Sequence, residues 1–114
     1  MRILYDEFGD VLDVFFKDGP NHKANAGHEI RDGVVIYVSA KMKPVQLTVV
    51  NFHRLTQHPA IHFSLLARKP VKLREELLRL AALPPLSTFL RIDSKTYYGR
   101  VMSPDVLKIS SKAA

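Results

Sequence analysis

The sequence predicts an α+β domain: an antiparallel β-sheet meander covered by one or two helices, with a C-terminal β-hairpin. Over the first fifty residues apolar side chains recur at a period of two, the repeat that puts them on one side of a pleated ribbon. Between Val71 and Leu83 they recur at helical spacing instead. Near the end, two apolar runs flank Asp93-Ser94-Lys95, a polar loop of hairpin length.

Taken in order, Ile3 to Tyr5 reads as a first short strand running into the turn Asp6-Glu7-Phe8-Gly9-Asp10. Val11 to Phe16 follows, with Leu12, Val14 and Phe16 on one face and Asp13 on the other. Asp18-Gly19-Pro20-Asn21 stops this strand, because Pro lacks an amide donor and Gly permits positive φ. The segment onward to Gly27 reads as a loop, and Asp32-Gly33 as the start of a third strand, Val34 to Val38. Lys41-Met42-Lys43-Pro44 turns the chain again. Val45, Leu47 and Val49 then alternate with Gln46, Thr48 and Val50, the pattern of a half-buried strand. Residues 59 to 67 fit two elements. Pro59 at a first helical turn favours a helix, whereas Ile61, Phe63 and Leu65 alternate as a strand would. After Pro70, Leu73, Leu77, Leu80 and Ala81 form the apolar stripe of a helix that Pro84-Pro85 ends, and this face is expected to cover the sheet. Thr88 to Ile92 and Thr96 to Met102 are expected to pair as a hairpin extending the sheet, with 110–114 frayed and disordered.

At 114 residues the chain suits one domain, with a sheet region at 1–52 and a helix-and-hairpin extension at 53–109. It has no Cys, which removes disulfides, thiol catalysis and cysteine-ligated zinc. The longest apolar stretch, Val34 to Val38, falls far short of the roughly 20 residues a membrane helix needs. Asp6, Glu7 and Asp10 stand where a signal peptide would be basic and then apolar, so a cytoplasmic protein without membrane partners is expected.

The net charge of +6 is unevenly spread. Residues 1 to 50 hold six basic and seven acidic residues, and residues 51 to 114 hold eleven basic and four acidic. Any electrostatic function should therefore sit in the second half. Arg68, Lys69, Lys72, Arg74 and Arg79 gather around the helix, and Arg91, Lys95 and Arg100 lie on the hairpin beside Tyr97 and Tyr98. Cations interleaved with aromatic rings suit nucleic acid, Tyr98 by stacking, or an acidic protein partner; the alternative is a solvated helix face.

Catalytic and metal-binding patterns are weak. His53, His58 and His62 lie close in sequence, but on a helix His58 and His62 would share a face, which leaves a zinc site short of its third and usual fourth ligands. Asp6, Glu7 and Asp10 fit a solvated turn better than a carboxylate pair or a calcium loop. Ser39, Ser64 and Ser87 stand in no nucleophile elbow, and His28-Glu29 is no triad fragment. The five glycines are scattered, so no phosphate loop exists. No catalytic residue, metal or cofactor is expected.

Leu4-Tyr5-Asp6, Gly9-Asp10-Val11-Leu12, Asp32-Gly33-Val34-Val35-Ile36 and Val45 to Val50 carry a resemblance. Residues 2 to 52 resemble a small bacterial family called domain of unknown function twenty-two eighty-three. The resemblance implies a compact antiparallel sheet with a short helix, no established activity and no catalytic residues to carry over. It also implies a protein partner of the toxin–antitoxin kind. Asp13 departs from the family's common aromatic, Tyr37 and Val38 from its usual polar strand end, and the basic half has no counterpart. A small non-catalytic interaction protein is the function these readings favour, with nucleic-acid binding as the alternative. Phe15, Val35, Tyr37 and Val50 fall on the face opposite the core residues, an apolar surface that a homodimer would bury.

Overall fold

A computed structural model describes residues 1–16 and 23–104. The turn expected at 18–21 and the tail at 110–114 lie outside them. The first half forms β1 (Arg2–Asp6), β2 (Val11–Phe15), β3 (Ala26–Arg31), β4 (Val34–Val38) and β5 (Pro44–Val50). These make one antiparallel sheet in the order β1-β2-β5-β4-β3. β3, β4 and β5 are a meander, and β2 lies beside β5, so β2 to β5 have Greek-key order. Leu12, Val14, Ile36, Leu47 and Val49 all point to one side and are essentially inaccessible, as the alternation requires.

Where a loop to Gly27 was expected, β3 already begins at Ala26. It reads Ala-Gly-His-Glu-Ile-Arg, with Ile30 its single strong β-former, and pairing with β4 imposes what propensity does not. Asp32-Gly33 is consequently the link between two strands. Gly33 sits at φ +82°, and its N–H donates to Glu29 Oε2 (3.1 Å).

The second half contains α1 (Phe52–Thr56), β6 (Ile61–His62), α2 (Ser64–Ala67), α3 (Val71–Ala81), a 3-10 turn at Leu86–Thr88, β7 (Leu90–Ile92) and β8 (Tyr98–Val101). Residues 59 to 67 satisfy both readings in turn, since β6 buries Ile61 and α2 starts after the buried Phe63. α3 is an amphipathic helix burying Leu77, Leu80 and Ala81 and ends two residues before the expected Leu83.

The C-terminal hairpin β7–β8 forms, but Thr88 belongs to the 3-10 turn and the hairpin does not extend the large sheet. β8 is flanked on both sides, by β6 and β7, which satisfies its backbone within a separate three-stranded sheet ordered β6-β8-β7. α3 runs closest to β7, the 3-10 turn and α2, so it covers the small sheet most directly. One buried cluster still joins everything, from Leu12 and Ile36 through Phe52, Phe63 and Leu77 to Leu90 and Val101. The rings of Phe16 and Phe89 meet across it with centroids 6.4 Å apart.

Candidate functional site

The acidic turn divides its carboxylates between two tasks. Asp6 Oδ1 accepts the Phe8 N–H (3.1 Å), an ordinary turn contact. Asp10, at φ +54°, turns instead to the two strands beside its own and the helix that follows one of them. Its Oδ1 accepts the Tyr5 hydroxyl (2.7 Å) and the His53 N–H (2.7 Å), and its Oδ2 the Arg54 N–H (3.3 Å). Its carbonyl accepts the Phe52 N–H (3.0 Å). Asn51, at the cap position of α1, makes no side-chain cap bond, so Asp10 caps that helix from the neighbouring strand, where Val11 pairs with Val50. Burial works to raise the Asp10 carboxyl, but the N–H of His53, the Tyr5 hydroxyl and the N–H of Arg54 together bring it below its ordinary value. Burial first, then the bond to Asp10 and the nearby negative charges, push the Tyr5 phenol up to about 12. These groups satisfy one another's hydrogen bonds.

His53, His58 and His62 are all exposed, and among the described residues no three His, Cys, Asp or Glu side chains come together as a metal site would need. His28 and Glu29 alternate to opposite faces of β3. Burial, then the charge of Lys69, lower the His28 imidazole. Ser39 Oγ accepts the Lys43 N–H in the β4–β5 turn (3.2 Å).

The outer face of the large sheet holds Phe15, Val35, Tyr37 and Val50, none of which joins the core cluster or packs against it. Strand register orders this face in rows. Leu4, Asp13, Thr48, Val35 and Glu29 form one, and Arg2, Phe15, Gln46, Tyr37 and Gly27 the next. The Arg2 guanidinium lies 4.8 Å from the Phe15 ring centre, and the Tyr37 ring lies over Gly27 where a Cβ would come within 2.8 Å of it. Asp13 stands mid-face. Its Oδ1 accepts Thr48 Oγ1 (2.5 Å) and Gln46 Nε2 (3.3 Å), so the carboxylate is held by its own sheet.

The basic residues are carried by several segments, from the end of α2 through α3 to the small sheet. Arg74 donates to the Ala67 carbonyl (3.3 Å) and lies 5.9 Å from the Tyr97 ring centre. Lys72 and Arg79 are exposed on α3, but helical spacing sets them among Glu75 and Glu76, which balances that face. Arg68 and Lys69 line a shallow cavity of about 450 Å³ with Glu29, Leu65, Pro70 and Leu73. Tyr98 lies elsewhere, on the small sheet, about half exposed and stacked on His62 with ring centroids 4.6 Å apart. That stack escapes sequence reasoning because β6 is only two residues long.

No family model matches this chain, and neither do any curated protein or solved structure. No helix among the described residues is long and apolar enough to cross a membrane.

Proposed function

We propose that the protein is a non-catalytic cytoplasmic interaction protein that forms a symmetric homodimer through the outer face of its large sheet, and that residues 2–52 belong with domain of unknown function twenty-two eighty-three. The five-stranded sheet followed by the short helix α1 supports that kinship. The observation that carries the function is the uncovered row structure, in which Phe15, Val35, Tyr37 and Val50 share one face outside the core. Apolar side chains gathered on an open sheet gain by being covered, and a two-fold pair of identical faces is the commonest closed solution. Asp13 on this face keeps Thr48 and Gln46 as hydrogen-bond donors when the face is covered.

Light scattering at micromolar concentration tests this. Wild type should be a dimer and Tyr37→Lys a monomer with an unchanged circular dichroism spectrum. A monomeric wild type would sink the reading and leave a toxin-like or acidic protein as the partner to seek. Catalytic assays bear on the same reading: Asp10→Asn and His58→Ala should affect stability at most, and a turnover abolished by either would make the protein an enzyme.

Nucleic-acid binding by the basic half is a second reading, and one observation favours it. Arg91 and Arg100 stand directly opposite each other on β7 and β8.

A further inference from the structure

The small sheet turns an outer face of its own to solvent. Pairing sets His62 opposite Tyr98 and Arg91 opposite Arg100. Alternation along β8 puts Tyr98 and Arg100 on the same side, away from the buried Val101. The phenol and imidazole rings stack at an interplanar angle of 29° with the phenol still open to solvent. Two arginines directly opposite each other across an antiparallel pair repel, and among the described residues no acidic residue is a partner in these strand pairings. The acid nearest to Arg91 in sequence is Asp93. Its Oδ1 accepts the N–H groups of Thr96 (3.0 Å) and Lys95 (2.7 Å), which hold it in the hairpin loop and keep its carboxyl below its ordinary value. The fold gains nothing from the cation pair itself, whereas an anion lodged between the two side chains would relieve their repulsion.

We propose that this face binds single-stranded nucleic acid, with a base stacking on the Tyr98–His62 platform and a phosphate held between Arg91 and Arg100. Two residues along a strand span about 6.6 Å, so the platform and the cation pair are spaced for neighbouring parts of one nucleotide chain. The surface is short and flat and offers no helix to a groove, which disfavours a duplex. An open ring stack needs an unpaired base. An acidic peptide would use the arginines and leave the aromatic platform idle. This site rests on the second reading above and is separate from the dimer face, so either can fail alone.

Fluorescence anisotropy at low salt tests it, with labelled oligothymidylate and oligouridylate of about twelve nucleotides, the length range of one small binding domain. The same oligonucleotide in a duplex and a polyglutamate peptide serve as competitors. Wild type should bind the single strands at micromolar concentration, and neither competitor should displace them. Tyr98→Ala should weaken binding about tenfold, while Tyr98→Phe should bind as wild type. Replacing both Arg91 and Arg100 with Ser should reduce the slope of log affinity on log salt by about 0.7, the value for one lost phosphate contact to a single strand. Lys72→Ser with Arg79→Ser should change neither. Salt-sensitive binding that ignores Tyr98, Arg91 and Arg100 would overturn this site but keep nucleic-acid binding by the basic half. Absence of any binding would overturn both, and displacement by polyglutamate with no effect of Tyr98→Ala would make the ligand an acidic protein.

Discussion

Asp10 is the residue on which the two halves of the chain meet. Its carboxylate replaces the missing side-chain cap of α1 and also holds the Tyr5 hydroxyl, so Asp10→Ala removes three bonds at once. We expect a loss of roughly 1–2 kcal/mol, the usual cost of a lost cap, read as a lower urea midpoint with unchanged slope. The pH dependence follows from the direction of each shift. Asp10 is lowered in the fold, so its contribution is complete above the ordinary carboxylate pKa and fades as pH falls through the lower folded value. Tyr5 moves the other way. Its pKa rises from 10.0 to about 12, so between those values the unfolded chain gives up the proton first and stability falls as pH rises. In Tyr5→Phe that alkaline decline should flatten, and a stability profile matching wild type from pH 10 to 12 would contradict the assignment. Little of this was legible in the sequence. Asp6, Glu7 and Asp10 read alike as turn carboxylates, and nothing local distinguishes the one whose partner is His53.

At the scale of elements, legibility followed the strength of local pattern. β2, β4, β5 and α3 announce themselves because their apolar periods are regular and their sides differ in burial. β3 and α1 do not. The first has one strong β-former, and the second is a single turn held by Phe52, Leu55 and a distant carboxylate. Alternation sufficed to gather Phe15, Val35, Tyr37 and Val50 on one outer face, whereas charges read along a sequence do not say which way each side chain turns. The hairpin carries its own test at Gly99, where a Cβ would fall 1.8 Å from the Arg91 carbonyl oxygen. Backbone cannot yield as a flexible side chain does. Gly99→Ala should cost roughly 2–3 kcal/mol by prising β7 from β8, measured by chemical denaturation, and a neutral result would mean that the two strands lie further apart.

Across the whole molecule, one buried cluster serves both sheets, with Phe16, just past β2, against Phe89, just before β7. Phe89→Ala should therefore destabilise the protein by roughly 3–5 kcal/mol and lower the unfolding midpoint of both sheets together. Hydrogen exchange at β4 and β8 amides would report this, and two separated transitions would show that the sheets unfold independently.

The Greek-key order of β2 to β5 also sets the sequence in which the chain can fold. β1 with β2, and β3 with β4 and β5, are local units, but Val11 must find Val50 to join them. Closing so long a loop costs entropy before any contact repays it, so the β2–β5 seam forms last. Ile36→Val should then give a φ-value of about 0.5–0.8 and Val14→Ala one below about 0.3. A weakened seam would shorten the lifetime of the folded protein while leaving the speed of its formation almost untouched.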